Sequence, residues 1–113
     1  MMDTGGMVVE RDLMVPARDG VVLATDVYRP QGPGPFPVLL ERTPYDKSAP
    51  SRSERTAAVG RPHSRAEVAG YFVEHGYAVA YQDCRGRYRS GGYFTKYLSE
   101  AEDGCDALAW LPR

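Results

Sequence analysis

The stretch YAVAYQDCRGRYRSGGYF, residues 77–94, decides the fold. Its first five residues are wholly apolar, of strand rather than helix length, and they predict a strand buried on both faces. The remaining thirteen residues admit two readings. Three arginines and three glycines interleaved with tyrosines have the look of an RNA-binding segment. The same residues, coming directly off a buried strand, also suit a structured loop at the mouth of an α/β site.

Upstream, Ser64 and Glu67 have the spacing of a capping box, which predicts a helix start. Ala66, Ala69, Phe72 and Val73 then share one helical face, and Gly76 stands where a left-handed C-terminal cap is wanted. Residues 38–42 (VLLER) predict a short strand whose apolar start, without alternation, implies burial on both faces. Strand, helix and apolar strand in that order predict a right-handed βαβ crossover in a parallel sheet. The intervening residues 43–62 are a long polar loop without periodicity.

Further upstream, residues 7–15 and 21–28 are rich in β-formers and are separated by an Asp19-Gly20 turn signal. They predict a hairpin that adds an antiparallel edge to the sheet. Val21, Leu23, Thr25 and Val27 fall on one face of its second strand, Asp26 and Tyr28 on the other, the pattern of a half-exposed strand. Residues 29–37 hold four prolines and two glycines, a stiff connector. Downstream, Ser99 and Glu102 form a second capping box, with Ala101, Cys105, Leu108 and Leu111 as the expected inner face. Glu100, Glu102 and Asp103 crowd that helix start, where the macrodipole favours acids.

Bulk properties narrow the function. The chain has 113 residues, 42% hydrophobic and 26% charged, enough for one small domain. With 14 basic and 15 acidic side chains and a net charge of −1, it lacks the basic excess of a dedicated nucleic-acid binder. No apolar run approaches the ~20 residues of a membrane span, and MMDTGG lacks the features of a secretory signal. Cys84 and Cys105 read as free thiols in a reducing compartment, with no metal-ligand spacing. The expected location is the cytoplasm.

Two loops leave the carboxyl ends of the expected parallel strands: RTPYDK (42–47) and QDCRGRYRSGG (82–92). In the first, Tyr45 is held by Pro44 and either donates a fixed hydrogen bond into a site or packs on the sheet rim. In the second, Arg85, Arg87 and Arg89 have Asp83 and Asp46 as candidate ion-pair partners, with phosphate contact as the alternative. Gly86, Gly91 and Gly92 fit neither G-x-G-x-x-G nor the P-loop pattern. His63 and His75 flank the predicted helix and suit surface or capping roles. No serine stands in the G-x-S-x-G elbow.

Four ordered blocks, RDGVVLATDVYRP, FPVLLERTPYDK, GYAVAYQDCRGRYRSGGYF and EAEDGCDALAWL, together resemble the N-terminal part of the CocE/NonD hydrolases. That group takes in α-amino acid ester hydrolases and the S15-type X-Pro dipeptidyl-peptidases. The resemblance implies an α/β-hydrolase fold in which residues 1–113 are an N-terminal segment: an antiparallel hairpin, a parallel βαβ unit and a further helix. The segment ends before the nucleophile elbow, so the serine, acid and histidine of the triad are expected downstream. The resemblance also implies an acyl-serine intermediate, no metal or organic cofactor, and a small ester or peptide as substrate, without nucleic-acid or membrane partners. Tyr45 would lend its hydroxyl to the oxyanion hole, and Asp83 and Arg85 would form a structural ion pair. These 113 residues alone are expected to be inactive, with a bare third-strand edge that invites association. The alternatives are a non-catalytic module contacting nucleic acid through the Arg85–Arg89 loop, and a pseudoenzyme remnant.

Overall fold

The computed structural model describes residues 7–49, 64–93 and 100–111. They form β1 (Val8–Pro16), β2 (Val22–Arg29), β3 (Val38–Thr43), α1 (Arg65–Glu74), β4 (Ala78–Asp83) and α2 (Glu100–Trp110). The four strands make one sheet in the order β1-β2-β4-β3. β1 and β2 are antiparallel, β2 and β4 are antiparallel, and β3 and β4 are parallel. The expected hairpin and parallel βαβ unit are therefore present.

Local chemistry explains the element boundaries. Gly20 turns the hairpin at a φ of 88°, its N–H donating to the Ala17 carbonyl at 2.9 Å. Ser64 Oγ accepts the Glu67 N–H at 3.1 Å while Glu67 accepts the Ser64 N–H at 2.8 Å, so both bonds of the capping box form. At the other end of α1, Gly76 takes a φ of 88°, and the N–H groups of Gly76 and Tyr77 close onto the carbonyls of Val73 and Phe72. Ala69 is buried against Tyr28, Val79, Tyr81 and Met7, with Ala66, Phe72 and Val73 packed around it. The inner face of α1 is the expected one.

The helices lie on opposite faces of the sheet. Glu41 pairs with Arg65 of α1, and its neighbour Arg42 pairs with Glu100 of α2. Adjacent strand residues point to opposite faces.

Three expectations need correction. β2 is not half-exposed: Leu23 to Tyr28 are all buried, because β2 is an inner strand between β1 and β4. β3 is not buried on both faces. Its burial alternates, Leu39 is 37% exposed, and among the described residues β4 is its only neighbour.

The third correction concerns α2. Ala101, Cys105 and Leu108 face outward, and Asp103 and Ala107 face inward. Charge pairing sets this rotation: Arg85 donates to both oxygens of Asp103, Nε to Oδ2 at 3.0 Å and Nη2 to Oδ1 at 2.7 Å. Ser99 lies outside the described residues, so its part in the second capping box does too.

Asp103 is 2% exposed, and truncating Arg85 leaves this buried charge only the Arg42 guanidinium, 3.8 Å away. Arg85→Ala should therefore destabilise the fold by about 3 kcal/mol, read as a shift in the denaturant midpoint. A loss below about 1 kcal/mol, the value of a surface pair, would show that α2 does not depend on this contact.

Candidate active site

β3 and β4 end side by side. Thr43 stands opposite Asp83 in the parallel register, and the Cys84 N–H donates to the Thr43 carbonyl at 3.0 Å. The loops that leave these two ends meet beyond the sheet, where α/β proteins hold their ligands.

Several hydrogen bonds hold the turn after β3. Tyr45 N–H donates to Thr43 Oγ1 at 3.0 Å. Arg87 Nε donates to the Pro44 carbonyl at 3.1 Å. Lys47 N–H donates to Asp83 Oδ1 at 2.8 Å. Asp46 sits between them at a φ of 74°, a region that non-glycine residues seldom enter. Its side chain accepts the Ser48 N–H at 2.9 Å. Out of this pinned turn stands the Tyr45 ring, 52% exposed.

Two residues on from Tyr45, Lys47 and Asp26 form the buried centre of a charge cluster. Lys47 is 3% exposed, and its Nζ lies 2.7 Å from Asp12 Oδ1 and 3.0 Å from Asp26 Oδ1. Asp12 occupies the irregularity between Glu10 and Leu13 in β1, at a φ of 54°, with its N–H donated to Asp26 Oδ1 at 2.9 Å. Arg89 reaches Asp12 at 3.2 Å and Arg11 reaches Asp26 at 3.4 Å. Burial pulls the Lys47 ammonium down, but its bonds to Asp12 and Asp26 outweigh that pull and leave it above its ordinary value. The bond to Lys47 in turn holds Asp12 below the usual carboxylate range. Burial pushes Asp83 up, against the opposing pull of Lys47, and its Oδ2 has no hydrogen-bond partner.

The loop after β4 is knitted to the sheet. Ser90 Oγ donates to the Asp83 carbonyl at 2.6 Å and accepts the Ala24 N–H at 2.8 Å. Gly92, at a φ of 80°, leaves room for Arg85, since a Cβ there would lie 2.9 Å from Arg85 Cγ. The expected pairing of Arg85 with Asp83 is not made. Arg85 bridges Asp19 and Asp103, Arg87 holds the Pro44 carbonyl, and Arg89 holds Asp12. Asp83, nearest in sequence, is buried and instead accepts the Lys47 N–H at Oδ1.

His75 caps α1 as expected and is exposed; His63 lies outside the described residues. Among the described residues, no group of three His, Cys, Asp or Glu side chains is placed to hold a metal. A cavity of about 460 Å³, lined by Leu13, Val27, Phe36, Val38 and Trp110 among others, opens at the amino ends of β3 and β4, remote from Tyr45. The sequence reading singled out Tyr45 but passed over Lys47, Asp12 and Asp26. The available signal was Asp26 itself, an acid inside a strand of β-formers.

The family model for X-Pro dipeptidyl-peptidase (S15 family) matches residues 19–113. Cocaine esterase of Rhodococcus sp. (strain MB1 Bresler) is 42% identical over 110 residues, which cover 97% of this chain and 18% of that protein. Among solved structures, a selenomethionine-labelled α-amino acid ester hydrolase superposes with a TM-score of 0.69 at 33% identity, covering 96% of this chain and 19% of its own. A CocE/NonD family hydrolase from Staphylococcus aureus superposes with a TM-score of 0.72 at 25% identity, covering 92% and 20%. The chain thus spans about a fifth of the length of these relatives.

The two thiols offer a direct check of the loop geometry. Burial pushes Cys84 up to about 11, whereas Cys105 is exposed. The thiolate is the reacting form. Iodoacetamide at about pH 8 should therefore modify Cys105 at least ~10-fold faster than Cys84, as followed by peptide mass spectrometry. Equal rates in the folded protein, matching those in denaturant, would contradict the buried placement of Cys84.

Proposed function

This chain belongs to the X-Pro dipeptidyl-peptidase (S15) family and carries the N-terminal portion of an α/β-hydrolase fold, and on that premise we propose that it supplies one half of the oxyanion hole of a serine hydrolase. The observation that carries the reading is the pinned turn that presents the Tyr45 phenol beyond the carboxyl end of β3.

That placement supports the following chemistry. A serine oxygen attacks the acyl carbon of an ester or amide, and the carbonyl π pair moves onto oxygen. The Tyr45 O–H donates a hydrogen bond to that developing charge and keeps its own proton throughout. Collapse of the tetrahedral species re-forms the carbonyl and breaks the bond to the leaving group. That group takes the proton given up by the serine hydroxyl and departs as the alcohol or amine, leaving an acyl-serine. A donor fixed before the charge appears needs no reorganisation when it does. The second donor is the backbone N–H after the nucleophile, which in this family's chain order lies beyond this segment.

The names of the relatives support an acyl substrate of small size, an ester in two of them and a peptide in the family's own description. The internal partners of Arg85 and Arg87 favour this reading over a nucleic-acid module built on the same loop. Two unpaired cysteines fit a reducing, cytoplasmic setting. No helix among the described residues is long and apolar enough to cross a membrane.

In the enzyme that carries this segment, Tyr45→Phe should lower kcat by roughly 10²–10³ with little change in KM, the usual effect of losing one oxyanion donor. Full kcat in that variant would remove Tyr45 from the mechanism. Residues 1–113 expressed alone contain no G-x-S-x-G and should take up no fluorophosphonate label. Stoichiometric labelling of any serine in them would place the nucleophile elsewhere than proposed.

A further inference from the structure

We propose that Lys47 and Arg87 are positioning residues for the Tyr45 hydroxyl. This rests on the reading of Tyr45 as an oxyanion donor.

A lysine buried to 3% calls for a reason, because an apolar side chain of similar volume commonly serves stability as well as or better than a buried ion pair. What the ammonium achieves here is geometric. Through Asp12 and Asp26 it ties the turn after β3 to the bulge of β1 and the middle of β2. Through its own N–H and Asp83 Oδ1 it ties the same turn to the end of β4. Four pieces of chain thus converge on one residue, two positions after Tyr45.

The turn needs this. Asp46 holds a left-handed φ of 74°, which a non-glycine residue keeps only where its surroundings over-determine it. On its other side the Pro44 carbonyl is held by Arg87 Nε at 3.1 Å. Release of either brace lets the peptides around Tyr45 rotate. A donor must stand about 2.7–3.1 Å from the oxyanion, and displacement by about 1 Å at a reacting centre can cost ~10²-fold in rate.

The test is a double-mutant cycle in the enzyme that carries this segment, with kcat and KM measured on an ester substrate. Lys47→Met is expected to lower kcat by ~10- to 100-fold with KM within about twofold, the signature of a misplaced donor rather than lost substrate binding. In the Tyr45→Phe background the same substitution should lower kcat by less than about twofold, since the group it positions is already gone. Lys47→Met leaves Asp26 buried without its lysine and can fail to fold. Arg87→Lys therefore makes the second arm: it keeps the charge, loses the guanidinium geometry, and should give a smaller kcat loss that Tyr45→Phe likewise absorbs.

Equal losses in both backgrounds would overturn the inference, because the residues would then act on the fold and not through the phenol. Unchanged kcat in both single variants would overturn it as well. If Tyr45→Phe itself leaves kcat intact, the oxyanion reading falls and the positioning role falls with it. A kcat loss in Tyr45→Phe, combined with additive losses at Lys47 and Arg87, removes the positioning role alone.

Discussion

β4 is paired on both edges, with an antiparallel strand on one side and a parallel strand on the other, and all six of its residues are buried. An apolar strand could end there without consequence, but this one ends in Gln82 and Asp83, which must find their partners inside the protein. Gln82 donates to Thr25 Oγ1 at 3.0 Å and accepts from Arg42 at 2.7 Å. Asp83 accepts the Lys47 N–H. From these two side chains the ties run outward, through Arg42 to Glu100 and the start of α2, and through Lys47 to the turn that presents Tyr45. The polar tip of a buried strand thus sets the position of both the second helix and the candidate site.

The cations of this chain act as connectors more than as surface charge. Arg65 is buried, and its guanidinium reaches Glu41 together with the carbonyls of Asp46 and Ala49. Arg85 joins the hairpin turn to α2. Such groups contribute little net stability, because desolvation offsets much of their attraction. What they define is which surfaces meet and at what rotation. The polar inner face of α2 is the clearest case, since hydrophobic contact alone would have turned Leu108 inward.

Where a feature depends on a few neighbouring residues, it was legible in the sequence. The hairpin turn at Asp19-Gly20, the Ser64–Glu67 capping box, the left-handed Gly76 and the apolar β4 are all of that kind, and so is the location of Tyr45 just past a strand end. What could not be read depends on distant residues. Whether a strand is exposed is decided by its place in the sheet, so β2 and β3 were misread in opposite directions. The rotation of α2 is decided by Arg85, 18 residues away, and the Lys47 cation finds Asp12 at a separation of 35 residues. Local periodicity carries no information at that range.

The hairpin turn has a consequence in time. Arg18 bonds to Asp106, 88 residues later, and Asp19 to Arg85, 66 residues later. A ribosome adding about 5–20 residues per second needs roughly 3 to 18 s to bridge such separations. Until Gln82 has been added β2 lacks β4 beside it, and Tyr28 lacks Val79 and Tyr81 to pack against. The hairpin with which this segment's sheet begins is thereby among the last of its parts to be completed.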